Sequence, residues 1–217
     1  MTKKEEWLAG TRSAVPIMLG YVPVGIAYGV MARQAGLNTR QTVLMSLTVY
    51  GGASEMMAAG MVAQGAAVLT IVLTTFILNL RHIIMSTCVF NQMQGGRLPV
   101  RMLAAFGVTD ETFAVYTTTA NAPRTPRYFF SMALCSYLSW ALGSWLGAIA
   151  TGLLPPLITA ALGISLYAMF IGLLMPGLHG NGRLAALVVL TALCNTVLCN
   201  VVQLDSGWSM ILSTLGC

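Results

Sequence analysis

Four charged side chains lie inside or beside stretches that are otherwise apolar enough to enter a lipid bilayer: Glu55, Arg81, Asp110 and Glu111. A charged side chain at the centre of a membrane helix costs about 2.5–3.5 kcal/mol on insertion scales. Unpaired, the four together would cost on the order of 10 kcal/mol, so they should face one another, a ligand or water. Arg81 can offer its planar guanidinium to the carboxylate of Asp110 or Glu111. The alternative is an ion pair near the membrane interface with a purely structural role.

The segment around Arg81 carries further polar groups. Asn79 and His82 are three residues apart and share one helical face, while Arg81 points about 200° away from Asn79. His82 is a candidate proton carrier because the charge of an imidazole changes near physiological pH. A structural, hydrogen-bonded histidine is the other interpretation of the same residue.

The elements that must position these groups are membrane helices. The 217 residues are 57% hydrophobic and 8% charged, with a mean hydropathy of +0.78, which is too apolar to cover the surface of a soluble domain. The sequence predicts an all-α polytopic membrane bundle of about seven transmembrane helices, forming a single domain over 1–217. The basic residues form no patch for nucleic acid, and we expect no metal or cofactor. The predicted spans are 14–32, 42–62, 66–88, 102–119, 128–150, 156–176 and 184–204.

The segment 102–119 is ambiguous because Asp110 and Glu111 lie in its middle. Positive residues favour a crossing, since they then divide six to four between the two sides of the membrane when the N-terminus is cytoplasmic. The six are Lys3, Lys4, Arg12, Arg124, Arg127 and Arg183; the four are Arg33, Arg40, Arg97 and Arg101.

Glycine and proline interrupt several of the apolar segments. The first contains GYVPVGIAYG from Gly20, and the second places Gly51 and Gly52 directly before an acidic residue. Broken membrane helices free backbone groups that need protein or water as partners, and they often mark the binding site of a transporter. Kinks in packed helices are the alternative. Small residues at the spacing of Gly143 and Gly147, repeated by Gly25 and Gly29, predict close helix packing.

The chain resembles the AzlC/YgaZ-type branched-chain amino acid permease family. The stretches that carry the resemblance are PIMLGYVPVGIAYGV from Pro16, VYGGASEMMAAGMV from Val49, NLRHIIMS from Asn79 and AFGVTDETFAVY from Ala105. The resemblance implies a multi-pass protein of the bacterial inner membrane that exports valine, leucine, isoleucine and methionine. It also implies a small membrane partner subunit of the AzlD type. One departure is Glu55, where the family pattern usually has glutamine.

A zwitterionic amino acid needs N–H groups or a cation for its carboxylate, an acceptor for its ammonium group, and an apolar slot for its side chain. The predicted substrate-binding residues are Tyr21, Pro23, Gly25, Tyr50, Gly51, Gly52, Ser54, Glu55, Asn79 and Arg81. Export against a gradient needs an energy source, and the chain has no nucleotide-binding motif. We therefore predict coupling to protons through Asp110, Glu111 and His82, with Glu55 as a further titratable group.

Two other classes of function remain as alternatives. An intramembrane hydrolase could use Ser54 as its nucleophile with His82 or His179 as base, although a rhomboid-type pattern requires glycine where this chain has Glu55. A non-transporting structural subunit would need Arg81, Asp110 and Glu111 for assembly alone.

Overall fold

The computed structural model describes residues 2–119, 122–153 and 182–200, together with single positions between 155 and 178 and between 209 and 216. The described residues form α-helices and no strand, which confirms the all-α prediction. The helices are α1 Lys3–Gln34, α2 Thr39–Thr48, α3 Gly52–Ala63, α4 Val68–Gln92, α5 Leu98–Phe106, α6 Asp110–Thr118, α7 Pro126–Ala150 and α8 Gly182–Asn200. Of these, α1, α4, α7 and α8 are long and apolar enough to cross a membrane. Apart from single positions, the predicted span 156–176 lies outside the described residues, and so does the end of 184–204.

Helices α1 and α7 are parallel and in close contact. Ser131 Oγ donates to Trp7 O at 2.9 Å near the start of both helices. Further along, a Cβ added to Gly143 would lie 2.7 Å from Val22 O, and one added to Gly25 would lie 3.0 Å from Trp140 O. The predicted small-residue stripes therefore pack against each other. α1 is one continuous helix through Pro16 and Pro23. Its central glycines Gly25 and Gly29 therefore allow close packing against α7 and do not interrupt the helix.

This contact predicts a strong difference between two glycines of α1. A Cβ at Gly29 would overlap Ser144 O and lie 2.7 Å from Ala148 N, whereas a Cβ at Gly20 would meet nothing within 4 Å. Overpacking typically costs about 1–3 kcal/mol, so Gly29→Val is expected to lower the melting temperature measured on the purified protein in detergent. Gly20→Val is the matched control on the same helix. Equal melting temperatures for the two variants would contradict the close packing of α1 and α7.

We call the end of the bundle where α1 and α7 begin the proximal end, and the end where they finish the distal end. Two of the predicted spans, 42–62 and 102–119, are each divided into two short helices. The first divides at Val49–Gly51, where Tyr50 has φ 46°, a value that favours glycine. The second divides at Gly107–Thr109, where the Thr109 side chain caps the start of α6.

The pair α5–α6 enters and leaves the bundle at the proximal end. Gln94 N, just before α5, donates to Arg124 O, just before α7, at 2.6 Å. The ring of Tyr116, near the end of α6, contacts the ring of Phe129 with centroids 5.1 Å apart. Both ends of the pair therefore lie beside the start of α7. The expected crossing by 102–119 is wrong: this segment is a re-entrant hairpin, because its two halves turn back on each other at Gly107–Thr109.

The pair α2–α3 is re-entrant from the distal end. α4 finishes beside the start of α7 and is about 37 Å long, so it begins at the distal end. Ala63 at the end of α3 is five Cα–Cα steps, or at most about 19 Å, from Val68 at the start of α4. α3 must therefore finish at the distal end too. α2 begins there, since Tyr28 OH in the distal half of α1 donates to Thr42 O at 3.3 Å.

The two halves of this arrangement are related by inversion. In each, a long helix crosses the bundle and a re-entrant hairpin follows from the end at which that helix finishes: α1 with α2–α3, and α4 with α5–α6. Both hairpin tips read aromatic-Gly-x-x-x-Glu, over Tyr50–Glu55 and Phe106–Glu111. Inverted repeats with broken helices are a recurring architecture of secondary transporters.

The basic residues of 2–153 divide very unevenly between the two ends. The proximal end holds Lys3, Lys4, Arg12, Arg97, Arg101, Arg124 and Arg127, and the distal end holds Arg33 and Arg40. Cytoplasmic loops of membrane proteins carry the excess of positive charge. This division of seven to two indicates that the proximal end is cytoplasmic. It is more uneven than the six-to-four division expected if 102–119 crosses the membrane.

Candidate functional site

The tips of the two hairpins meet in the middle of the bundle around a small cavity, which we call the central pocket. Its lining comes from both tips, from the middle of α4, and from aromatic side chains of α1 and α7. The lining residues are Tyr21, Tyr50, Gly51, Gly52, Ala53, Arg81, His82, Thr109, Asp110, Glu111 and Trp140. Residues far apart in the sequence are thus brought to one point by two helix breaks.

An ion pair crosses the pocket from α4 to the start of α6. Arg81 Nη2 lies 2.9 Å from Asp110 Oδ2, and the two side chains are 42% and 27% exposed. The pairing expected for Arg81 is therefore made with Asp110. Because neither group is deeply buried, both remain within reach of a ligand that enters the pocket.

Glu111 belongs to a second polar cluster, on the α1 side of the pocket. The hydroxyl of Tyr21 donates to Glu111 Oε2 at 2.5 Å and lies 2.7 Å from Thr109 Oγ1. Tyr21 is itself packed edge-to-face on Trp140, with ring centroids 5.4 Å apart. Glu111 is thereby held in place by a neutral donor, with no cation in contact among the described residues.

The carboxylate of Glu55 lies behind the tip of the first hairpin and does not line the pocket. It is fully buried and accepts three hydrogen bonds: from Gly51 N at 3.0 Å, from Ser46 Oγ at 3.0 Å, and from Trp140 Nε1 at 3.2 Å. The first two donors belong to the α2–α3 hairpin and the third to α7. Glu55 therefore fastens the tip of this hairpin to α7.

The starts of α3 and α6 both border the pocket, with different caps. The first N–H groups of a helix have no partner within the helix, and its N-terminus carries a partial positive charge. Thr109 caps α6 through a reciprocal capping box, whereas α3 begins at Gly52 with no side-chain cap. The start of α3 is consequently the better place for a carboxylate, as is usual at a free helix N-terminus.

The central pocket is closed in this structure. Its volume is about 20 Å³, and a single water needs about 10–15 Å³ on a comparable measure. An amino acid cannot enter without movement of a hairpin tip or of α4.

The AzlC protein family matches residues 16–154, which cover both hairpins and α7 up to its end. A membrane protein of Archaeoglobus fulgidus is 33% identical over 188 residues, which is 86% of this chain and 82% of that protein. The chain belongs to the AzlC family. Inner membrane protein YgaZ of Escherichia coli is 30% identical over 179 residues, covering 78% of this chain and 72% of YgaZ.

The branched-chain amino acid transport protein AzlC of Bacillus subtilis is 27% identical over 157 residues, covering 69% of this chain and 61% of that protein. The AzlC family is thus transport-associated and is not an enzyme family. This favours a transport role over an intramembrane hydrolase. The names of the relatives and the apolar helices identify a multi-pass protein of the inner membrane. No solved structure matches the chain.

Of the residues predicted from the sequence of this AzlC-family chain, eight line the central pocket: Tyr21, Tyr50, Gly51, Gly52, Arg81, His82, Asp110 and Glu111. Asn79 lies next to it, with its side-chain oxygen 3.1 Å from the position of a Cβ on Gly51. Pro23, Gly25, Ser54 and Glu55 are outside its lining. Ser54 Oγ donates to Gly51 O at 2.8 Å within the hairpin.

Ala53, Thr109 and Trp140 line the pocket but were not among the predicted residues. Thr109 has a signal in the sequence, since a threonine just before an acidic pair is typical of a helix start. Trp140 has none, because its position in the middle of an apolar helix reads as ordinary packing.

Proposed function

We propose that this chain is the large subunit of a two-component secondary transporter that exports branched-chain and other hydrophobic amino acids: valine, leucine, isoleucine and methionine. The observation that carries the proposal is the meeting of two oppositely inserted hairpin tips around Arg81, Asp110 and Glu111. Family membership supports a transport role, and the name of the Bacillus subtilis relative supports the substrate class.

The pocket offers complementary groups for the two charges of a free amino acid. The uncapped start of α3, at Gly52 and Ala53, suits the carboxylate because its N–H groups are free of side-chain partners. Asp110 and Glu111, at the start of α6, suit the ammonium group. Arg81 can then pair with the carboxylate of the substrate or with that of Asp110. When the substrate binds, Arg81 is proposed to leave Asp110 for the substrate, which opens the contact between α4 and α6.

Export is proposed to be coupled to protons through His82 and through Asp110 and Glu111, the two carboxylates at the tip of the α5–α6 hairpin. Protonation of Asp110 would remove the partner of Arg81, and protonation of Glu111 would reverse the direction of its hydrogen bond with Tyr21. The first change weakens the contact of α6 with α4, and the second weakens its contact with α1. A proton and an ammonium group would then compete for the same oxygens, which is the simplest form of exchange.

A small membrane subunit of the AzlD type is proposed as the partner. The resemblance to permeases with two components supports this part of the proposal. The outer face of α4 offers a surface for it, because Leu69, Val72 and Phe76 share one face of the helix and are each more than half exposed.

The test is counterflow of labelled leucine and valine in proteoliposomes that contain the chain together with its small subunit. We expect saturable counterflow that unlabelled isoleucine and methionine inhibit and that lysine does not. With Glu111→Gln, we expect counterflow to persist while flux driven by a pH gradient falls at least about tenfold, because the proton site is lost. Glu5→Gln, an exposed acid on α1, is the control and should leave both unchanged. Gradient-driven flux that survives in Glu111→Gln would contradict the coupling role, and absence of any counterflow would contradict transport.

A further inference from the structure

A second, much larger cavity lies beside α4, and the central pocket shares a wall with it. Its volume is about 400 Å³, within the range of about 300–1,000 Å³ typical of ligand sites. Its lining includes Asn79, His82 and Ser86 from α4 and Tyr50, Phe106 and Val108 from the two hairpin tips. Nothing in the family resemblance or in the names of the relatives assigns a role to this cavity.

The lining of the cavity is polar on the side of α4. Asn79, His82 and Ser86 follow one another at three- and four-residue steps, so they form a stripe along one face of the helix. The Asn79 side chain has no hydrogen bond to any described residue, and Ser86 Oγ donates to Ala105 O at 3.0 Å. Polar side chains and helix breaks at membrane depth must be covered by protein or lie beside water. Both breaks and the polar stripe border this one cavity, so water in the cavity would supply the partners that these groups need.

Tyr50 forms the wall between the cavity and the central pocket. Its side chain lines both spaces and is only 5% exposed. Its hydroxyl is buried and has no hydrogen-bond partner within the described part of the chain, and its backbone has φ 46°. An unsatisfied buried hydroxyl is destabilising, and a residue held in the left-handed region is strained as well. Such combinations are common where a side chain must move.

The cavity extends toward the proximal end. The residues of α4 that line it run from Asn79 to Thr87, eight steps or about 12 Å along the helix, in the direction of the end at Gln92. The excess of basic residues marks this end as cytoplasmic. The cavity therefore lies on the side from which an exported amino acid must arrive.

We propose that this cavity is a vestibule that binds a hydrophobic amino acid from the cytoplasmic side, and that Tyr50 is the gate through which it passes to the central pocket. The mixed lining fits such a ligand: Asn79 and His82 face its polar end, while Phe106 and Val108 contact its apolar side chain. The inference rests on the proposed transport function and adds to it an entry site and a gate.

The first test is sided labelling of Ser86→Cys, in a background without the five native cysteines, by a charged, membrane-impermeant thiol reagent. We expect modification in inside-out vesicles, none in right-side-out vesicles, and slower modification when leucine is present. Ile84→Cys, 75% exposed and about 200° around α4 from Ser86, is the control and should face lipid without reacting. Thr87→Cys serves as a second probe if Ser86→Cys does not fold.

Two outcomes would overturn the proposal in different ways. Lack of reaction at both probe positions would exclude a water-filled vestibule, whether or not the chain transports leucine. Reaction that leucine does not slow would exclude binding in the vestibule, while counterflow separately tests the transport function.

The gate is tested with Ala53→Cys, which lines the closed central pocket. We expect this cysteine to react slowly with Tyr50 present and at least about tenfold faster in the Tyr50→Gly background, where the ring is gone and the positive φ is without strain. Unchanged reactivity at Ala53→Cys would show that Tyr50 does not close the passage.

Discussion

Replacement of Glu55 by alanine is expected to abolish the accumulation of folded protein in the membrane. The substitution leaves two buried donors without an acceptor among the described residues, on Gly51 and Trp140, while Ser46 Oγ can still donate to Ser144 Oγ at 2.7 Å. Each unsatisfied buried group costs about 1–3 kcal/mol, so the total of about 2–6 kcal/mol is a large part of the stability of about 5–15 kcal/mol typical of a folded protein. The measurement is the monodisperse fraction after size-exclusion chromatography in detergent.

Glu55→Gln should behave very differently from Glu55→Ala. An amide oxygen can still accept from Ser46 and Trp140, and only the bond from Gly51 N is lost. We expect this variant to fold with a modest loss of thermal stability and to keep its counterflow activity. The exposed Glu5→Ala on α1 controls for the loss of an acid in the first turn of a helix. Normal accumulation of Glu55→Ala would contradict the role of this carboxylate as the fastener of the first hairpin.

Removal of Arg81 is expected to reduce counterflow of leucine by at least about 100-fold. Arg81→Ala leaves Asp110 without its cation and next to Glu111, so the second tip carries two adjacent acids in a closed pocket. Removal of one partner of a charge pair in a binding site typically costs about 2–5 kcal/mol, a range that includes the roughly 2.8 kcal/mol of a 100-fold change in affinity. Flux should be normalised to the amount of folded protein, measured in the same vesicles.

A double variant separates a binding role of the pair from a structural one. Arg81→Ala with Asp110→Ala removes both charges of the pair and should restore folding, since neither partner is left without the other. If the pair binds substrate, counterflow stays low in this double variant. Recovery of counterflow together with folding would show that the ion pair is structural only.

The residues that meet in the pocket could be predicted from the sequence because of what a membrane excludes. Arg81, Asp110 and Glu111 are costly in lipid wherever the helices run, so their convergence followed from their residue types alone. The close packing of α1 on α7 could likewise be predicted, because small residues repeat at four-residue spacing in both helices. Glu55 belongs to the same costly group, yet its partners are neutral donors that have no sequence signature.

The paths of the two hairpins could not be predicted in the same way. A segment of about 20 apolar residues is long enough either to cross or to enter and return, and hydropathy does not distinguish the two. The return of α5–α6 depends on contacts such as Gln94 N with Arg124 O, and that of α2–α3 on the short link from Ala63 to Val68. The inverted relation of the two halves could not be predicted from the sequence either, because the two hairpin tips share little beyond the pattern aromatic-Gly-x-x-x-Glu.

The most direct test of the account is the sidedness of the hairpin ends. Single cysteines at Gln34, Ala63, Gln94 and Ala122, in a background without native cysteines, are labelled with an impermeant thiol reagent in right-side-out and inside-out vesicles. Two re-entrant hairpins predict that Gln34→Cys and Ala63→Cys react from the periplasmic side and that Gln94→Cys and Ala122→Cys react from the cytoplasmic side. Reaction of Gln34→Cys and Ala63→Cys from opposite sides, or of Gln94→Cys and Ala122→Cys from opposite sides, would show that the segment between them crosses the membrane and would contradict the meeting of two hairpin tips.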